Sequence, residues 1–179
     1  MTSLLLHPQS AHGGVASIDV HVTRTGAGVL TLHYVLHGDL DTVRWPAPAA
    51  SAHADELWRR TCFEAFIQPE GAASYLELNF SPSTQWAAYA FDNYRAGMRP
   101  AEIAAPEISV RREDDLFELS AEIGAAALPA RAPLRVGLSA IIEAVSGEKS
   151  YWALAHPPGK PDFHHSDCFA LEITASERP

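Results

Sequence analysis

The chain has 179 residues, 47% of them hydrophobic and 20% charged, with 13 Lys plus Arg against 22 Asp plus Glu and a formal net charge of -9. That length fills one domain with a substantial core. The acidic balance excludes a general nucleic-acid binder, which needs a basic face, and gives no attraction to anionic membranes.

Residues 1–14 read as a loosely held lead-in that ends at Gly13-Gly14. Its short apolar run, Leu4-Leu5-Leu6, follows no Lys or Arg and makes a poor export signal. No later stretch approaches a membrane span, so the expected compartment is the cytoplasm. Val15 to Thr25 and Val29 to His37 alternate apolar and polar residues around Gly26-Ala27-Gly28, which predicts a hairpin. His21, His33 and His37 fall on these strands, where lone surface histidines are commoner than a metal trio. Gly38 to Leu57 is a long irregular connection whose Trp45-Pro46-Ala47-Pro48 rules out a helix or central strand. A loop of this length is either functional or a crossover between sheets.

The densest patterning follows, from Leu57 to Met98. Cys62 to Gln68, Tyr75 to Ser81 and Trp86 to Asp92 each alternate with period two, separated by Pro69-Glu70-Gly71 and Ser81-Pro82-Ser83. Side chains alternate across a strand, so Leu76, Leu78 and Phe80 are predicted to face the core while Tyr75, Glu77 and Asn79 face outward. Glu64 and Trp86 are expected to join that outward set, making a face of carboxylates, amide and indole. Such a face offers flat apolar contact and directed hydrogen bonds together, which a sugar ring requires. Asp92, Tyr94 and Arg95 follow the third strand and are expected to form a rim, with Arg95 either touching ligand or locked to Asp92. Trp152 and His156, on the strand Ser150 to His156, complete the candidate site. Trp45 and Trp58 are assigned to structure.

Glu107 to Glu113 and Leu116 to Gly124 flank Asp114-Asp115 as a second hairpin. Ala125 to Pro133 has room for one helical turn. Leu134 to Ala144 and Phe169 to Ile173 close the strand set, and residues 174–179 read as a frayed tail. About ten short strands with many Gly or Pro turns predict an all-β fold, an antiparallel two-sheet β-sandwich of immunoglobulin or jelly-roll type, in a single domain over 1–179. Cys62 and Cys168 lie in apolar strands without CxxC or zinc spacing and are expected to be free, buried thiols.

The runs ELWRRTCFEAFI, YLELNFSPSTQWAAYAFDNYR and YWALAHPPGKPDFHHSDCFALEI resemble bacterial DOMON-like domains related to family-nine carbohydrate-binding modules. The resemblance spans Leu57 to Ile173. It implies a β-sandwich that holds a small ligand on one sheet face, a sugar in some members and haem in others. The leading expectation is a non-catalytic domain for a carbohydrate or sugar-like molecule, with no cofactor, nucleic-acid partner or membrane partner. Two alternatives stand beside it. A haem module would draw its axial pair from Met98 and one of His156, His164 or His165. A glycoside-processing enzyme would use Glu64 and Glu77 as a carboxylate pair.

Overall fold

The structure is a computed structural model and describes residues 1–129 and 132–174. Among the described residues, thirteen strands account for most of the regular structure. The first four are β1 (Thr2–Ser3), β2 (Leu5–Leu6), β3 (Val15–Arg24) and β4 (Leu30–Gly38). The middle of the chain supplies β5 (Cys62–Pro69), β6 (Tyr75–Phe80), β7 (Trp86–Phe91) and β8 (Arg99–Pro100). Then come β9 (Glu107–Arg112), β10 (Leu116–Ile123), β11 (Leu134–Glu143), β12 (Lys149–Ala153) and β13 (Leu171–Ile173).

These strands form two antiparallel sheets stacked as a sandwich. The smaller sheet runs β1-β3-β4-β10-β9, and the larger runs β2-β12-β11-β5-β6-β7-β8 with β13 also paired to β11. Alternation explains the stacking. Val20, Leu32, Tyr34, Leu36 and Leu119 of the smaller sheet meet Phe63, Ala65, Leu78, Phe80, Val136 and Leu138 of the larger in one buried core. Tyr34, fully buried, donates its hydroxyl across this core to the Glu64 carbonyl at 2.7 Å. A buried phenol needs such a partner, and here the bond ties β5 to the opposite sheet.

Two local expectations change. The lead-in is engaged rather than loose, because Thr2 and Ser3 pair with β3 while Leu5 and Leu6 pair with β12. Its backbone groups find partners in both sheets, and Leu4 is buried between them. Val15 is buried alongside Ile18 despite its opposite phase, because the β3–β4 register shifts between Val15 and Ser17 and a bulge turns its side chain inward. The helical turn appears as a short 3₁₀ segment, Ala125–Ala127. Residues 175–179 of the predicted tail lie outside the described residues.

The larger sheet differs from an ordinary antiparallel sheet in its outer face, which is also covered. Phe66, Tyr75, Ala87, Tyr89, Phe91 and Ile141 point away from the main core and form a second buried cluster with Phe163, Cys168 and Phe169. These last three come from the segment between β12 and β13. At Gly137 of β11 a Cβ would stand 2.7 Å from the Phe169 ring, so only glycine lets this segment lie flat on the sheet.

Candidate functional site

A cavity of about 810 Å³ opens on that covered outer face. Its floor is made by β5 and β6. Register pairs Glu64 with Asn79 and Phe66 with Glu77, so Glu64 and Glu77 are diagonal neighbours on one face of adjacent strands. Both carboxyl groups are buried, with the residues 3% and 7% exposed. Ser139 of β11, directly opposite Glu64, donates its hydroxyl to Glu64 Oε2 at 3.1 Å. Asn79 Nδ2 donates to Glu77 Oε1 at 2.8 Å, while its own carbonyl oxygen accepts from the Cys62 thiol at 3.6 Å. The amide is therefore held in one orientation, and both carboxyls are aimed by neutral donors.

The walls come from irregular segments and strand ends. The long connection after β4 brings Asp55, Glu56 and Trp58 to the rim. Arg60 anchors this segment by pairing with buried Glu143 at 3.0 Å. Tyr89 of β7 donates to Asp55 Oδ1 at 2.7 Å. Tyr151 and Lys149 of β12 line the far side. The segment after β12 contributes Pro161, Phe163 and His164, and the loop after β7 contributes Arg95 and Met98.

These last two segments are clasped together. Asp162 accepts from Arg95 Nη2 at 2.7 Å on one oxygen and from the Tyr94 hydroxyl at 2.6 Å on the other. The Arg95 backbone N–H donates to the Tyr75 hydroxyl at 3.2 Å, and that hydroxyl lies 2.8 Å from His164 Nδ1. Donation from the Tyr75 hydroxyl to Nδ1 corresponds to the tautomer that carries the imidazole proton on Nε2. Nε2 then faces Glu77 Oε2 at 3.6 Å. This contact is not an ion pair, because burial first, and the Arg95 charge second, lower the imidazole to about 4.

Electrostatics separate the two floor carboxyls. Burial first, and the charge on Glu77 second, push Glu64 up to about 8, against the lowering effect of Ser139. Glu77 is raised by burial too, but the Asn79 bond and Arg95 hold it back. At neutral pH Glu64 is thus a neutral acid that can both donate and accept. Asp162 stays ionised, because the bonds from Tyr94 and Arg95 outweigh its partial burial.

Of the residues singled out from sequence, Glu64, Glu77 and Arg95 meet in the cavity, with Asn79 behind Glu77. Tyr75 and Tyr94 instead line a neighbouring cavity of about 320 Å³ on the other side of His164. Trp86 is a correction. It pairs with Phe80 and so shares the inner face, packed in the main core. The turn between Phe80 and Trp86 sets a register that puts Ala87, not Trp86, beside Asn79. Trp152 also lies in the main core, its indole N–H bonded to Ser150 Oγ at 2.9 Å. His156 sits apart, bonded to the Leu5 carbonyl at 2.8 Å. Asp92 is exposed and pairs with Arg99, so the expected Asp92–Arg95 lock is replaced by Arg95–Asp162. Trp58, assigned to structure from sequence, is 45% exposed at the cavity mouth. Tyr89, Tyr151, Phe163 and His164 were reachable by strand parity in part, but nothing local marks the last two as cavity residues.

Of the groups the haem alternative named, Met98 and His164 both line the cavity, with His164 Nδ1 bonded to Tyr75 and Nε2 3.6 Å from Glu77 Oε2, while His156 lies outside the lining. His165 Nδ1 accepts from the Asp167 N–H. Among the described residues no group of three or more His, Cys, Asp or Glu stands close enough to hold a metal ion. Cys62 and Cys168 are free and buried.

No protein-family model and no curated protein sequence matches the chain. Among solved structures, a candidate carbohydrate-binding protein from Bacteroides uniformis superposes with a TM-score of 0.63 at 16% identity, covering 84% of this chain and 75% of that one. A family-nine carbohydrate-binding module from Caldicellulosiruptor kristjanssonii, solved with glucose, gives a TM-score of 0.47 at 12% identity over 90% and 86% of the two chains. The first likeness shows a shared fold, and the second is too distant to argue from. Fold and geometry together define a class: an antiparallel two-sheet β-sandwich with an aromatic-walled, acid-floored cavity on the outer face of its larger sheet.

Proposed function

We propose that the chain is a non-catalytic binding domain for a carbohydrate or sugar-like small molecule, held in the cavity over β5 and β6. The observation that carries this reading is the composition of that one cavity. Trp58, Tyr89 and Tyr151 supply ring faces, while Glu64 and Glu77 supply fixed acceptors and one donor from below. A pyranose has apolar C–H faces and a belt of hydroxyls, and the two kinds of group match it. A volume of about 810 Å³ lies in the range of small-molecule sites. The DOMON-like resemblance and the fold shared with a candidate carbohydrate-binding protein support the same reading. Calorimetric titration with a panel of mono- and oligosaccharides tests it. Binding that is lost in Trp58→Ala and Glu77→Gln is expected. A folded protein that binds no member of the panel refutes it.

A second reading has its own observation, because two carboxyls pushed apart in acidity are what acid–base chemistry uses. Binding is preferred on the composition of the cavity alone, since Glu64 and Glu77, diagonal neighbours on one sheet face, stand in an arrangement that a carboxylate pair can also use. Release of nitrophenol from nitrophenyl glycosides by the wild type, abolished in Glu77→Gln, is the result that would reverse this preference.

A further inference from the structure

The buried carboxyls of this chain are treated in two different ways. Glu143 is paired twice, with Arg60 at 3.0 Å and Arg44 at 3.7 Å. Among the described residues, neither Glu64 nor Glu77 has an ion pair with any Lys or Arg; Glu77 faces the neutral His164 ring at 3.6 Å and feels the Arg95 charge only at longer range. Glu64 Oε2 takes the Ser139 bond, and no described residue donates to its Oε1, although the residue is 3% exposed and lines the cavity. A buried carboxylate without a countercharge is costly, so the free protein satisfies one of the pair with a proton.

We propose that the ligand carries a protonated amine that docks between Glu64 and Glu77, which makes an amino sugar or aminocyclitol the favoured class over a neutral sugar. The amine claim stands on the carboxyls alone; only the sugar-like remainder of the ligand rests on the carbohydrate reading.

The charges around the cavity are consistent with this. Of the two cations among its described lining residues, Arg95 is paired with Asp162 and reaches Glu77 only at long range, and Lys149 lies opposite Glu143 on β12 and makes no ion pair with the floor. Glu56 is committed to Arg59 at 2.7 Å, and Asp55 accepts from Tyr89. The floor therefore holds the buried acids that lack a direct ion pair. A metal ion would need more ligands than the pair provides, and no third acidic, His or Cys group is positioned to join them among the described residues. An ammonium needs fewer and longer contacts, and its polarised C–H groups gain from the Tyr89 and Tyr151 rings. On docking, the ammonium takes over the role of the Glu64 proton: the carboxyl O–H ionises, its electron pair stays on the carboxylate, the proton passes to buffer, and no other covalent bond changes.

The test is isothermal titration at about pH 6.5 with D-glucosamine, D-glucose, N-acetyl-D-glucosamine and cyclohexylamine, each in phosphate and in morpholinoethanesulfonate, whose different ionisation enthalpies report protons released. We expect glucosamine to bind at least about tenfold tighter than glucose or the N-acetyl sugar, with up to one proton released. In Glu64→Gln, where the amide keeps the Ser139 bond, that preference and the proton release should both collapse. Glu77→Gln should lose the preference as well, so a folding defect in one variant leaves the other to decide. Equal binding of glucose and glucosamine without proton release overturns the amine and leaves the carbohydrate reading intact. Cyclohexylamine binding without any sugar binding overturns the carbohydrate reading and keeps the amine. If no probe binds, both fall.

Discussion

Replacing Glu64 with Gln should change how stability depends on pH, and the structure sets both sign and window. The carboxyl is pushed up to about 8 in the fold, by burial first and the Glu77 charge second. In the unfolded chain it returns to about 4.3. Between those values the folded protein keeps a proton that the unfolded chain has lost. Unfolding free energy therefore falls as pH rises, by about 1.4 kcal/mol per pH unit at most. Other groups bound the useful window. His164 acts oppositely, since its imidazole is lowered to about 4 by burial and Arg95; its contribution grows with pH and is complete just above the ordinary histidine value of about 6.5. The buried Cys62 and Cys168 thiols, both raised by burial, begin to matter as unfolded thiols ionise near about 8.5. From about pH 6.5 to about pH 8 the Glu64 slope is cleanest, and the wild type should lose about 1.5 kcal/mol, less whatever water in the cavity screens. Glu64→Gln should lose much less and should be the more stable protein at the upper end. Urea unfolding midpoints for both proteins at three pH values across this window provide the measurement. Parallel pH profiles for wild type and variant would refute the reasoning.

Four further outcomes are expected. Leu78→Ala empties a site between the sheets where the side chain is 1% exposed, and should destabilise by about 2–5 kcal/mol in denaturant unfolding; an unchanged midpoint would overturn the face assignment of β6. Trp58→Ala, at a half-exposed position, should leave the thermal midpoint nearly unmoved while weakening glucosamine binding by about tenfold, or about 1.4 kcal/mol. Arg95→Lys removes a planar fork from the clasp with Asp162 and Tyr94; stability should shift by less than about 1 kcal/mol because the pair is solvent-facing, while affinity drops, and no change in either quantity would remove Arg95 from the wall. Thiol titration should find both cysteines unreactive in the native protein and both free after denaturation without reductant.

Strand positions were legible because period-two alternation is a local property: β5, β6, β7 and β11 begin at the residues that the alternation predicts. The acid floor was legible for the same reason, since Glu64 and Glu77 each occupy a polar phase on adjacent strands. Which tryptophan belongs to the site was not. Trp86 and Trp152 alternate in phase with core residues only once their partners are known, and those partners depend on pairings the linear pattern does not contain. The walls were less legible still. Trp58, Phe163 and His164 come from irregular segments about a hundred residues apart, and only the sheet between them makes them neighbours. His156 was preferred to His164 because it continues a strand-like run, yet β12 ends at Ala153 and the chain turns away.

Floor and walls also differ in what holds them, and this decides how the site can vary. Glu64 and Glu77 sit on central strands whose opposite faces form the main core, and the Tyr34 bond fixes the Glu64 backbone from the far sheet. Moving either carboxyl means disturbing close-packed side chains such as Ala65, Leu78 and Phe80. The walls are held by contacts that can be exchanged singly: Arg60 to Glu143, Tyr89 to Asp55, Arg95 and Tyr94 to Asp162. Most of these involve at least one solvent-facing partner, where a substitution costs little stability. Loops carried on a rigid sheet are where recognition is ordinarily adjusted. Ring shape and substituent preference should therefore reside in Trp58, Tyr89 and the Arg95–Asp162 clasp, while the requirement for a group that can satisfy two buried acids belongs to the core itself. A sandwich of this kind can change which ligand body it admits without losing its acid floor.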